Sequence, residues 1–211
     1  MIALLLALLG LPPQAPDPAA IVRRAGAVYR GLGSLQADFL QIIEDPGLGD
    51  TLRTAGKLYQ AGANSFAMRF SDPPDEAIVI DGKYVWLYTP STTPGQVIRS
   101  RMESDPVYGA NLLARILDRP AERYSNTWLR ADTLGGRQVD VVAIVPRSGS
   151  LSFSKAVLWL DREEALPRRI ELSEGQGTRR ILILSHLRTN APIDRTLFEF
   201  RVPKGVRVVD Q

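Results

Sequence analysis

The sequence predicts an α+β fold built on one long antiparallel sheet that curls or closes on itself, with helices on its concave side. Two observations carry this. First, about ten or eleven strand-like segments follow one another through short turns, and short connections favour antiparallel neighbours. Second, only two segments have helical spacing, and each has one apolar face that the concave side of the sheet must bury. A sheet of that many strands does not stay flat and open.

The elements run in order from the N-terminus. Met1 is followed by an apolar run, Ile2 to Leu11, broken only by Gly10. It is too short to span a bilayer and has the length of the hydrophobic region of an export signal. We expect residues 1–15 to be a leader and 16–211 to form a single domain. Asp17-Pro18 is a helix start, with a capping Asp and a Pro at the first helical position. Ile21, Ala25, Val28 and Leu32 give that helix an apolar face, and Gly31 and Gly33 end it.

Leu35, Ala37, Phe39, Gln41 and Ile43 alternate with polar residues as a strand, and 45–50 is a turn. From Gly56 on, strand follows strand. Leu58 and Tyr59 lie in one, Phe66 to Phe70 in the next, and Ala77 to Ile80 in a third. Asp81-Gly82 is the strongest hairpin signal in the chain, followed by Tyr84, Trp86 and Tyr88 and then by 96–99. Ser104-Asp105-Pro106 opens a second helix, with Ala110, Leu112, Leu113, Ile116 and Leu117 on its apolar side and Pro120 as its stop. Strands resume at 124–131, 138–145, 153–161, 168–174, 179–187 and 197–202, separated by Gly- and Ser-rich turns.

Composition bounds the function. Of 211 residues, 45% are hydrophobic and 23% charged, which are globular values. The net charge of +3 is spread among acidic residues without a run of like charges, so it reads as a solubility feature and no nucleic-acid partner is expected. There is no cysteine, which excludes disulfides and Cys–zinc sites, and leaves no residue to carry an N-terminal lipid. The only histidine, His186, lies in an apolar strand, so neither a metal cage nor a catalytic triad is in prospect, and a structural or surface role is expected. The Gly-rich spots lack the rest of a phosphate loop, and the acidic pairs Asp75-Glu76 and Glu163-Glu164 sit near turns. We expect no enzyme, no cofactor and no metal.

The aromatic and Met content of neighbouring strands stands out: Phe66, Met68, Phe70, Trp86 and Tyr88 alternate within a short stretch. These residues suit an ordinary sheet core, and they equally suit the wall of an apolar pocket that must adapt to flexible chains.

Several blocks resemble the periplasmic outer-membrane lipoprotein carrier family, the LolA type. They are Gly56-Lys57-Leu58-Tyr59, Asn64-Ser65-Phe66, the run from Pro74 to Lys83, and Val85-Trp86-Leu87-Tyr88-Thr89-Pro90. Ala37-Asp38-Phe39-Leu40-Gln41 resembles that family's first strand, and Phe198-Glu199-Phe200, Pro203-Lys204-Gly205-Val206 and Asp210-Gln211 resemble its close. The resemblance implies an incomplete β-barrel with a helical lid over a hydrophobic cavity. It implies a monomeric periplasmic carrier that takes acylated lipoproteins from an ATP-driven inner-membrane release complex and passes them to an outer-membrane receptor. The cavity wall would then comprise Phe39, Leu58, Phe66, Met68, Phe70, Ile78, Ile80, Trp86 and Tyr88, with Leu112, Leu113, Ile116 and Leu117 from the second helix. A periplasmic sensor or regulatory lipid-binding domain of the same fold is the alternative. One departure matters: the family commonly has Arg-Pro where this chain has Gly62-Ala63, and that Arg holds the lid shut. Arg53 or Arg69 would have to substitute, or the lid works differently.

Overall fold

A computed structural model describes residues 15–47, 49–62, 64–102, 111–147 and 152–211. The expected leader and the Ser104-Asp105-Pro106 helix start lie outside the described residues, Ala15 excepted.

Helix α1 (Pro18–Arg30) begins where the sequence predicts: the Asp17 carboxylate accepts from the Ala19 N–H at 2.9 Å, and Gly31 caps the other end. Its buried line is Val22, Ala25, Gly26 and Tyr29. That line is rotated slightly from the expected one, with Ile21 and Val28 at its half-buried margin. Twelve strands among the described residues form one sheet: β1 (Ser34–Asp45), β2 (Asp50–Ala61), β3 (Ser65–Asp72), β4 (Pro74–Ile80), β5 (Tyr84–Tyr88), β6 (Gln96–Arg101), β7 (Tyr124–Leu134), β8 (Arg137–Pro146), β9 (Phe153–Asp161), β10 (Pro167–Glu174), β11 (Arg179–Thr189) and β12 (Arg207–Asp210). Their order is β12-β6-β5-β4-β3-β2-β1-β11-β10-β9-β8-β7. The terminal strands β12 and β7 do not pair with each other, so the sheet is an open barrel.

Two short helices, α2 (Leu112–Leu117) and α3 (Pro120–Arg123), sit with α1 on the concave face. Pro120 does not simply stop the second helix. It opens a further helical turn, the position at which a missing N–H costs nothing. The main apolar cluster fills the space between these helices and the sheet. α1 can lie this close to α2 and α3 because residue 26 is glycine: a Cβ there would stand 2.7 Å from the Leu117 carbonyl oxygen. Gly56 has a similar role within the sheet, where a Cβ would collide with the backbone of Arg69 and Phe70 at an irregularity in the β2–β3 ladder. Arg24 anchors α1 to the β9–β10 turn by donating to the carbonyls of Arg162 and Glu163, each at 2.8 Å.

The end of the chain departs from expectation. Residues 197–202 are not a strand. A short helical turn, Arg195–Phe198, leads into extended chain whose carbonyls at Leu197 and Glu199 both accept from the Arg69 guanidinium, each at 2.8 Å. With those acceptors satisfied by a side chain, the segment has no need of a ladder, and Phe198 and Phe200 turn onto the convex face. The last strand is β12, and it joins β6 in parallel rather than antiparallel fashion.

Candidate functional site

The ladder registers decide which residues share the concave wall. Met68 stands opposite Ile78, and Ile78 opposite Leu87. Phe66 stands opposite Ile80, and Ile80 opposite Val85. Since side chains alternate across a strand, the even residues of β3 and β4 continue into the odd residues of β5. On the other side of β1, Gln41 faces Leu182 of β11, and Leu172 of β10 faces Arg180.

These strands and α2 enclose a cavity of about 360 Å³. Its apolar lining is Leu58, Phe66, Met68, Ile78, Leu87, Leu172 and Leu182 from the sheet, with Leu112 and Leu113 from α2. Gln41, Glu174, Arg180 and Ser152 make its polar lining. Of the residues expected in the wall, Leu58, Phe66, Met68, Ile78, Leu112 and Leu113 touch this space. Phe39, Phe70, Ile80, Ile116 and Leu117 lie on the same face in the packed cluster beside it, with the rings of Phe39 and Phe70 edge-to-face at 5.1 Å.

Trp86 and Tyr88 are the exceptions, and they correct the expected wall. Both lie on the convex face, where Trp86 stacks on Phe200 at 5.3 Å and Tyr88 packs against the same ring. The Trp86 indole N–H donates to the Asp81 carboxylate at 2.8 Å, and that same carboxylate caps the turn by accepting from the N–H groups of Lys83 and Tyr84. An even-numbered loop between Ile80 and its partner Val85 sends Trp86 to the face opposite Ile78 and Ile80.

The wall residues missed were Leu87, Leu172, Leu182, Gln41, Ser152, Glu174 and Arg180. Leu87 could have been found from that same parity. The β10 and β11 residues could not, because their pairing with β1 joins segments far apart in sequence.

A buried polar contact joins α1 and the start of α2 to the middle of the sheet, among largely hydrocarbon neighbours. The Tyr29 hydroxyl, on α1, donates to Gln60 Oε1 on β2 and lies 3.3 Å from Asn111 Oδ1, so its proton is shared between the two acceptors. Asn111 caps α2 by accepting from the Ala114 N–H at 3.0 Å, and Gln60 donates to the Gly62 carbonyl at 3.2 Å. All three side chains are buried. Burial pushes the Tyr29 hydroxyl well above the usual phenol range despite hydrogen bonds to Gln60 and Asn111, so it stays a neutral donor. Neither arginine considered for lid closure reaches this place. Arg69 holds the C-terminal segment on the convex face, and Arg53 is exposed on β2. Gly62 itself takes a left-handed turn at φ +63°.

His186 lies at the surface beside an irregularity in β11, its Nδ1 2.9 Å from the Asp38 carboxylate, which also accepts from Lys57. No group of three or more His, Cys, Asp or Glu among the described residues could hold a metal ion.

Residues 30–201 match the family model described as outer membrane lipoprotein carrier protein LolA. Curated relatives with the name outer-membrane lipoprotein carrier protein include one from Alkalilimnicola ehrlichii, 28% identical over 99% of this chain and 94% of its own length. Another, from Pseudomonas aeruginosa, is 28% identical over 93% of this chain and 90% of its own. Among solved structures, an uncharacterized conserved protein from Thermus thermophilus superposes with a TM-score of 0.58 at 15% identity, covering 91% of this chain and 98% of that one. The MucA/MucB complex from Pseudomonas aeruginosa gives a TM-score of 0.51 at 17% identity, over 92% of this chain and 64% of that one. At such identities these two likenesses describe the fold.

Proposed function

This chain belongs to the outer membrane lipoprotein carrier protein LolA family, and from that premise we propose that it carries acylated lipoproteins through the periplasm. It accepts them from an ATP-driven inner-membrane release complex and delivers them, as a monomer, to an outer-membrane receptor. The observation that supports this reading is the apolar cavity beneath α2, open at a polar end and roofed by helices that a buried polar node helps to fasten to the sheet.

The physics of such transport is burial. Each methylene taken from water is stabilised by ~0.8 kcal/mol, so acyl chains cross an aqueous space only when covered. Moving them between binding sites makes and breaks no covalent bond. Met68 and the Leu side chains of the wall present a surface that adapts to chains of different length and kink. At about 360 Å³ the cavity is near the lower end of the range for small-ligand pockets. Several acyl chains need more room, so loading requires α1 and α2 to move outward. The Tyr29–Gln60–Asn111 node then does what the family's arginine does elsewhere: it favours the closed state by a few hydrogen bonds, a modest bias that cargo binding can overcome.

Mass spectrometry of lipids and lipoproteins that co-purify with the protein from the cell envelope tests the reading, and acylated peptides are the expected result. The alternative, a sensor or regulatory lipid-binding domain, draws on the likeness of fold to MucB, which was solved with MucA. A sensor holds its lipid and changes its affinity for a protein partner, whereas a carrier gives its cargo up to an acceptor membrane bearing the receptor.

A further inference from the structure

The cavity wall is hydrocarbon except at one end, where three strands bring Gln41 (β1), Glu174 (β10) and Arg180 (β11) together. Arg180 donates to both Glu174 oxygens, through Nε at 2.9 Å and Nη2 at 3.2 Å, and through Nη1 to Gln41 Oε1 at 3.2 Å. Gln41 in turn donates to the Thr54 hydroxyl at 3.3 Å. A guanidinium has five N–H groups, so two on Arg180 remain for a further acceptor, and Gln41 keeps one. The Glu174 and Arg180 side chains are 17% and 32% exposed, which puts them at the mouth of the cavity rather than in its depth or in open solvent.

The charge of this cluster is balanced. Glu174 neutralises Arg180 through a two-pronged contact, so the spare N–H groups are hydrogen-bond donors with little net field behind them. Such donors suit carbonyl oxygens. A phosphate has greater need of unopposed cations and would meet the Glu174 carboxylate. An acylated cargo whose tails fill the Leu- and Met-lined space has its ester and amide carbonyls where the tails end, at the mouth.

Resting on the carrier reading, we propose that Gln41, Glu174 and Arg180 form a polar subsite. It binds the uncharged ester and amide carbonyls at the head of the acyl chains, and its balanced charge selects such lipids over anionic phospholipids. The subsite gives an otherwise non-directional cavity a fixed orientation for its cargo, with tails inward and the peptide outward.

Three probes test this on the whole protein: a diacylglyceryl-cysteine peptide, a fluorophore with a plain alkyl tail, and phosphatidylglycerol. Arg180→Met and Gln41→Leu should each weaken the acylated peptide, the former by about tenfold, as expected for losing a hydrogen bond to a charged group. The alkyl fluorophore should stay within about twofold in both. Glu174→Gln leaves the arginine unopposed and should strengthen phosphatidylglycerol binding several-fold. The proposal is overturned if Arg180→Met and Gln41→Leu leave the peptide unaffected. It is equally overturned if they lower both tailed probes in parallel, as a merely structural ion pair would, or if Glu174→Gln does not change phospholipid binding. Gln41→Leu removes no charge and keeps the test decisive should Arg180→Met fail to fold. Wild-type protein that does not bind the alkyl fluorophore would defeat the carrier reading itself, whereas normal binding of that probe with any of the negative results above defeats only the subsite.

Discussion

The hydroxyl of Tyr29 donates to the side-chain oxygen of Gln60, joining helix α1 to strand β2 inside an apolar interface. Both residues are 5% exposed, so water cannot replace either partner while the helices are closed. Tyr29→Phe keeps the ring and its packing and deprives Gln60 Oε1 of its donor, while Asn111 Oδ1 keeps the Ala114 N–H. The expected cost is about 1–3 kcal/mol of stability, together with faster entry and release of a fluorescent acyl probe. Thermal unfolding and stopped-flow release measure the two. Lower stability with unchanged release rates would show that the contact does not control the roof.

The two faces of the sheet across β3, β4 and β5 should separate binding from folding. Met68→Glu places a charge on the cavity wall, where the open end admits water, so it should abolish probe binding at a cost of about 1–3 kcal/mol in stability. Trp86→Ala, on the convex face, should cost about 3–5 kcal/mol by removing the ring that packs on Phe200. The folded fraction of that variant should bind the probe as wild type does. Loss of probe affinity in folded Trp86→Ala protein would contradict the assignment of faces.

Acid should weaken the fold through Asp161. Burial pushes its carboxyl up, but hydrogen bonds from Arg137 and from the N–H groups of Glu164 and Glu163, with the charge of Arg168, outweigh burial and hold it well below the ordinary value of 3.8. A carboxyl depressed in the folded state stabilises fully above its unfolded pKa, and that contribution is lost as pH falls through the folded value. Asp161→Asn should therefore cost about 1–3 kcal/mol at neutral pH, because Arg137 and Arg168 lose one of the two carboxylates they share and keep Glu164. Denaturant titrations at pH ~7 and pH ~3 should show the gap between variant and wild type narrowing in acid. A constant gap would mean that the carboxylate charge does not contribute.

Gly26→Ala tests how the roof is assembled. The added methyl would lie 2.7 Å from the Leu117 carbonyl, which is backbone and cannot rotate aside. The helices should move apart, at a cost of about 1–3 kcal/mol, with greater exposure of α2 to hydrogen exchange. Unchanged exchange in α2 would show that α1 does not position it.

The sequence by itself determined the alternation of the strands, the Asp17-Pro18 helix start, the hairpin at Asp81-Gly82 and the absence of any thiol chemistry. All of these are local: they depend on a side-chain period of two, on a capping carboxylate, or on composition. It also identified the family, whose model matches residues 30–201. Parity errors crept in where loop length decides the face. Trp86 and Tyr88 went to the wrong side because an even-numbered loop inverts the alternation between β4 and β5. The polar end of the cavity depended on tertiary structure alone. Gln41 and Arg180 are 139 positions apart and meet only because β1, in the middle of the sheet, pairs with β11. Tyr29, Gln60 and Asn111 likewise come from two helices and a strand, and no periodic pattern links them. Local patterns fix which face each residue takes within its own element. Only the closure of long loops, at a cost in chain entropy, decides which faces meet.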